Sequence, residues 1–307
     1  MKTFKINLSK DIAGNDVDIN GYRLGSGAPK IYIQGGIHGG EITYWILHKL
    51  IKKIKNKKLN GAITIIPICN PYSWQQRNYF YTCGKFSYYN GADWNRFFPG
   101  DKTGNLFSML AYKIFNEARK HEIIIDLHTS RKSKPFGIYA DDKSKDLIKV
   151  LGFKYNQILK SEITGKSGTL NQACSDLSMQ NVAIECGSHD DYNYDNVAKC
   201  VDSLLNLFKY TKVIAGTVKK AVDVNVFEEN KSYYAPKAGF AKYVKKIGEQ
   251  FKKGDVLFEL YSSSNIERII KVKAEEEGVL FKISPTHILQ EGDSALQIIK
   301  KEDLKRI

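Results

Sequence analysis

The sequence predicts an α/β domain with a mostly parallel central sheet over residues 1–215, followed by a small all-β, barrel-sandwich-like domain over 216–307. Three observations predict it. Short Ile- and Val-rich runs alternate with helix-periodic stretches in the first two-thirds, the texture changes after about residue 215, and the tail carries a weak internal repeat. The strand candidates are Ile31–Gln34, Ala62–Ile68, Ile123–Leu127 and Val182–Glu185, continuous apolar runs that suit strands covered on both faces. One helical pattern follows Glu41; a second places Leu106, Leu110, Ile114 and Ala118 at i, i+4 spacing; a third carries Val197, Val201, Leu204, Leu205 and Phe208. In this architecture functional groups gather at the carboxyl ends of the strands.

In the tail, residues 238–244 followed by 253–259 echo 277–283 followed by 291–297, and Gly254-Asp255 and Gly292-Asp293 both read as tight turns. Two similar halves packed as a small β-sandwich resemble the lipoyl or biotinyl carrier fold. The hairpin that would bear the attachment lysine, Tyr261–Glu267, contains none, which argues against a carrier role.

Composition narrows the function classes. The 307 residues are 42% hydrophobic and 26% charged, enough apolar material for a sizeable core, and collagen-like, disordered and coiled-coil classes are excluded. No run approaches the roughly 18 apolar residues of a membrane span, and the N-terminal stretch lacks a continuous apolar segment, so a cytoplasmic protein without a membrane partner is expected. Five unclustered cysteines fit reduced, mostly buried thiols. The net charge of +14 raises nucleic acid as a partner, but residues 216–307 hold 17 basic and 14 acidic residues, and the densest basic run, Lys49–Lys58, overlies the helical stripe Leu47, Leu50, Ile51 and Ile54. A solvated helix face explains that run, and no specific nucleic-acid partner is expected.

Chemistry concentrates after the strand candidates. Gly35-Gly-Ile-His-Gly-Gly-Glu41 follows the first, and its His38-x-x-Glu41 spacing brings an imidazole and a carboxylate onto one side of a turn entering a helix. The same glycine-rich loop could bind phosphate, although it lacks the P-loop ending and the dinucleotide fingerprint. His128 ends the Ile123–Leu127 strand; two histidines and a glutamate with one position open are a known catalytic zinc set. Asp126 could accept a hydrogen bond from a ligand histidine or cap a neighbouring turn. Arg77, Asn95 and Arg96 lie in the polar segments Cys69–Arg77 and Asp93–Gly100, where the arginines could hold a carboxylate or oxyanion or simply form surface ion pairs. Glu185 ends the Val182–Glu185 strand, placed to shuttle protons.

In order along the chain, Gly-Gly-Ile-His-Gly-x-Glu, Asn-Pro-x(5)-Arg, Asp-x-Asn-Arg-x-Phe-Pro-Gly, Asp-Leu-His and Ile-Glu-x-Gly resemble the succinylglutamate desuccinylase/aspartoacylase family of the zinc carboxypeptidase clan. The resemblance implies a zinc-carboxypeptidase-like catalytic domain with a C-terminal β-domain. It implies one Zn2+ per chain, bound by His38, Glu41 and His128. Arg77 and Asn95 would polarise the scissile carbonyl or hold the substrate, Arg96 would pair with a substrate carboxylate, and Glu185 would act as general base and acid. Two positions depart from the pattern: Trp94 stands where the family usually has Leu, and the pocket-lining segment Ser161–Gln180 has no arginine, leaving Lys166 as a substitute cation.

The expected function is therefore a zinc-dependent amide hydrolase that deacylates an N-acyl amino acid or a related small carboxylate-bearing amide. The alternatives are a metallocarboxypeptidase acting on peptides or peptidoglycan fragments, and a catalytically inactive basic binding module. The C-terminal β-domain is expected to wall the cleft or support homo-oligomerisation, with Tyr233, Tyr234 and Tyr261 as candidates for reaching the site.

Overall fold

A computed structural model describes residues 1–79, 82–159, 168–267 and 269–307; Lys166 lies outside them. Among these, one 10-stranded sheet runs in the order β1-β2-β4-β3-β5-β9-β7-β8-β10-β19. Its strands are β1 (Lys2–Lys10), β2 (Asp16–Ser26), β3 (Lys30–Gly35), β4 (Gly61–Ile66), β5 (Ile123–Ser130), β7 (Phe136–Tyr139), β8 (Tyr155–Ile158), β9 (Gln180–Ser188), β10 (Asn225–Phe227) and β19 (Lys305–Arg306). All four strand candidates form, as β3, β4, β5 and β9, and these are the parallel centre. The sheet as a whole is mixed rather than mostly parallel: β1–β2, β2–β4, β7–β9 and β10–β19 pair antiparallel. The N-terminal hairpin escapes sequence reading because its strands are half exposed and polar, Lys2–Lys10 alternating without a continuous apolar run.

Helices α1 (Thr43–Ile54), α2 (Pro71–Gln75), α3 (Leu106–Ala118), α4 (Lys145–Leu151), α5 (Leu170–Asp176) and α6 (Tyr194–Tyr210) connect the strands. On α1 the apolar stripe is buried and Lys52, Lys53, Lys55, Lys57 and Lys58 point to solvent, so the basic run is a solvated face. Period-2 alternation assigns each strand residue to one face. Ile31, Ile33, Ile125, Leu127, Ile184 and Cys186 pack against α1, α4 and α6. Tyr32, Ile124 and their neighbours pack against α3 and α5. No described helix is long and apolar enough to cross a membrane. All five cysteines are free, and only Cys83 is not buried.

Two further antiparallel sheets hold most of the chain beyond residue 230. One contains β11 (Lys231–Tyr234), β18 (Ser294–Lys300), β16 (Gly278–Ile283) and β13 (Gln250–Phe251), with β6 (Lys132–Ser133) added to β16. The other contains β15 (Ile269–Lys273), β14 (Val256–Tyr261), β12 (Gly239–Tyr243) and β17 (Ile288–Leu289). The repeat is visible in the pairing, β12 with β14 and β16 with β18, while β17 and β13 cross over to the opposite half. Its Gly-Asp turns are built alike: Asp255 accepts from the Lys252 amide at 3.2 Å and Asp293 from the Gln290 amide at 2.7 Å.

The two regions share strands. β10 and β19 extend the large sheet, whereas β6 joins the small one. Phe136, Phe227, Phe281 and Ile299 form a separate apolar cluster across that junction, the Phe136 and Phe281 rings meeting edge-on at 4.8 Å.

Candidate metal centre

His38, Glu41 and His128 converge at the carboxyl ends of β3 and β5, all buried, with their ligand atoms within 4.8 Å of one another. Nδ1 of His38 lies 3.0 Å and Nδ1 of His128 3.2 Å from the same oxygen, Oε1 of Glu41. Each outer nitrogen faces a second carboxylate: His38 Nε2 donates to Asp93 at 2.9 Å and His128 Nε2 to Asp126 at 2.8 Å. Such outer partners fix the ring orientation and leave the inner nitrogens free to ligate. Asp126 is in turn held by Gln34 Nε2 at 3.0 Å, and Gln34 Oε1 accepts from the Tyr32 hydroxyl at 2.8 Å, a buried chain along β3 and β5.

Burial alone would push both imidazoliums down. Glu41 with Asp93 around His38, and Asp126 with Glu41 around His128, outweigh it, so both pKa values are raised. Burial would raise Glu41, yet His128 and His38 hold it well below the carboxylate range. Lys85 and Arg96 offset the charge of Asp93, and the two imidazole nitrogens with the Glu41 carboxylate are a donor set a divalent metal accepts.

The loop owes its shape to packing rather than to clearance for an ion. A Cβ on Gly39 would lie 2.2 Å from the Ser73 carbonyl oxygen, and Gly40, at φ +86°, backs onto His189 and Thr82. Asn70-Pro71 serves the same loop: Asn70 caps α2 by accepting from the Ser73 amide and donates to the Ile37 carbonyl at 2.9 Å.

Glu185 stands beside this centre. His128 pairs with Glu185 in register across β5–β9, and Glu185 pairs with Phe136 across β9–β7, so the three side chains form a row on one face of the sheet. Its Oε2 is buried and has no hydrogen-bond partner among the described residues.

The remaining expected residues are placed unevenly. Asn95 is buried; its Nδ2 lies 3.4 Å from His128 Nε2, and its Oδ1 accepts from the Leu170 amide at 3.3 Å. Trp94 is buried between Tyr72 and Phe107, so the larger ring anchors the turn that presents Asn95. Arg96 reaches Asp93 Oδ2 at 3.6 Å with half its side chain exposed. Arg77 lies on the exposed segment after α2, outside the buried cluster. Asp93, Gln34 and Tyr32 join the site in the structure. Asp93 opens the Asp-x-Asn-Arg motif, the one available signal, whereas Gln34 and Tyr32 sit inside an apolar strand that gives no such cue. Tyr233 donates no contact to the site: its hydroxyl accepts from the Glu275 amide. Tyr234 is exposed, and Tyr261 binds Glu259 at 2.8 Å.

An α/β sheet with a buried two-histidine, one-glutamate cluster at its strand ends, and a carboxylate on the neighbouring strand, is an arrangement that could hold a metal ion beside an acid–base group. More particularly, residues 27–210 match the succinylglutamate desuccinylase/aspartoacylase catalytic domain, and the chain belongs to that family. No curated protein matches the chain. Among solved structures, it is similar to a succinylglutamate desuccinylase/aspartoacylase family protein from Shewanella amazonensis, 19% identical, covering 100% of both chains with a TM-score of 0.88. It is also similar to a succinylglutamate desuccinylase/aspartoacylase from Rhodobacter sphaeroides, 20% identical over 99% of this chain and 94% of that one, TM-score 0.80. A third is the product-bound ectoine utilization protein EutE (DoeB) from Ruegeria pomeroyi, 18% identical over 96% and 94%, TM-score 0.81. At these identities the likeness is one of fold. The family's named members, succinylglutamate desuccinylase and aspartoacylase, are amide hydrolases.

Proposed function

We propose that the protein is a zinc-dependent amide hydrolase that deacylates an N-acyl amino acid or a related small carboxylate-bearing amide. The observation that carries this reading is the row from His128 to Glu185: a three-donor set on neighbouring strand ends beside a buried carboxylate oxygen with no hydrogen-bond partner among the described residues. His38, Glu41 and His128 would hold one zinc ion, which when bound supplies a Lewis acid that polarises a carbonyl and acidifies water. Glu185 takes the proton of the attacking water and returns it to the leaving amine. Asn95 and Arg77 donate to the oxygen on which charge develops, and Arg96 pairs with a substrate carboxylate. Residues 1–215 supply these groups, and residues 216–307 wall the cleft.

Glu185→Gln tests the assignment. Turnover should fall by about 10²–10⁴-fold, the usual worth of a general acid–base group, while elemental analysis still finds zinc. Near-normal turnover would remove Glu185 from the role. A panel of N-acetyl-, N-succinyl- and N-formyl-amino acids set against short peptides, read by free-amine release, separates the reactions. Cleavage confined to peptides with a free carboxyl terminus would make the protein a carboxypeptidase.

A further inference from the structure

The row of side chains does not stop at Phe136. β6 joins β16 with Ser133 opposite Lys282, and this pairing carries Lys282 over the large sheet. Its Nζ lies 4.5 Å from the centroid of the Phe136 ring and 5.0 Å from that of Phe281. Two aromatic faces hold the ammonium by cation–π attraction while its stem is covered. The order across the site is therefore metal ligand, general base, aromatic ring and ammonium, the last supplied by the C-terminal strands.

The electrostatics at this end are unbalanced. Among the described residues the Lys282 ammonium makes no side-chain hydrogen bond or ion pair; the two aromatic rings are its contacts. Burial depresses its pKa; Glu185 opposes that, and Arg131 and Lys85 push the same way as burial. The charges it feels are thus one carboxylate and two more cations. Arg131 is fixed by donating to the Ser294 carbonyl at 2.9 Å, and Lys85 is 3.5 Å from Asp93. Glu185 and Lys282 form no ion pair, so an ammonium held by aromatic faces alone and a carboxylate oxygen with no hydrogen-bond partner among the described residues both neighbour Phe136.

We propose that Lys282 is a specificity-determining residue, its ammonium binding a carboxylate of the substrate on the side of Glu185 away from the metal centre. This rests on the hydrolase reading and extends it: the substrate carries an anionic group beyond the scissile amide, and the C-terminal β-region reads it. A carboxylate there gives Lys282 a counter-charge without neutralising Glu185.

The test uses zinc-loaded wild type, Lys282→Met and Lys282→Arg. Calorimetry measures binding of succinate and of its neutral diamide, succinamide, with zinc content and circular dichroism recorded for each variant. Wild type should prefer succinate; Lys282→Met should lose roughly tenfold or more in succinate affinity, as expected for a lost charge-assisted contact, and keep its succinamide affinity. Lys282→Arg should retain most of the preference. A folded, zinc-replete Lys282→Met protein that binds succinate like wild type would overturn the proposal, and so would a wild type indifferent to the two probes. Failure of the hydrolase reading looks different: no amide is turned over, whatever the succinate preference.

Discussion

On the floor of the site both histidines of the cluster have their outer nitrogens held, His38 by Asp93 and His128 by Asp126, which Gln34 holds in turn. On the rim support is looser: Arg77 is exposed, Arg96 is half exposed, and among the described residues Glu185 Oε2 has no hydrogen-bond partner and the Lys282 ammonium has only its two aromatic rings. The contrast teaches a division of labour. A metal ion held by this cluster would tolerate little change in ligand geometry, and the support it would need is already built into buried strands. Groups that meet substrate charge must give up their own partners, and a rim left unsatisfied by the protein is one prepared to be satisfied by a ligand.

The largest effect should therefore follow a break in the floor. His128→Ala removes a ligand and strips buried Asp126 of its imidazole, and both stoichiometric zinc and all turnover should be lost, measured by elemental analysis and the amide panel. A variant that kept zinc would show that the ion sits elsewhere. Next in size are Asp126→Asn and Asp93→Asn, which keep shape but weaken the outer hydrogen bonds. Zinc affinity, followed by competition with a chelator, should fall by about 10–100-fold in each. The larger loss is expected at Asp126, which is fully buried, while Asp93 also has Lys85 and Arg96 for company. Unchanged affinity in both would erase the distinction between floor and rim.

The same division explains how much could be read from the sequence. That His38, Glu41 and His128 come together was legible because the His-x-x-Glu loop and the Asp-Leu-His segment each follow an apolar strand, and the fold puts strand ends together. Asp126 was legible by its two-residue offset from His128. Asp93 was less so, since its contact with His38 spans 55 positions and depends on the turn that buried Trp94 anchors. Lys282 was illegible for the same reason on a larger scale: nothing local to residue 282 announces that β16 will pair with β6. The N-terminal hairpin was hidden by its polar, half-exposed strands, and with it the antiparallel edge β1–β2–β4 of the sheet.

On the rim, Arg96→Ala should raise KM by roughly tenfold, the worth of one charge-assisted contact, with zinc content unchanged. If instead zinc is lost, Arg96 belongs to the floor through Asp93, and the boundary drawn here moves outward by one residue.

The smallest effect should come from a charge pair belonging to neither region. Glu117 on α3 meets Arg23 at 2.6 Å and Lys120 at 2.7 Å. Burial would raise its pKa, but Lys120 and Arg23 outweigh it and lower it from 4.5. Its contribution is thus present above pH 4.5 and lost as pH falls through the lowered folded value. Arg23 is 49% exposed and Lys120 62%, so solvent screens the pair, and Glu117→Gln should cost only about 0.5–1 kcal/mol at neutral pH. Denaturant titrations at pH 7 and pH 3 check this, the difference between wild type and variant shrinking at the lower pH and with added salt. Glu41 shows the same direction of shift with wholly buried partners. A Glu117 variant as damaging as a Glu41 variant would mean that burial of the partners, rather than the presence of opposite charge, is not what separates the pocket floor from the rest of the molecule.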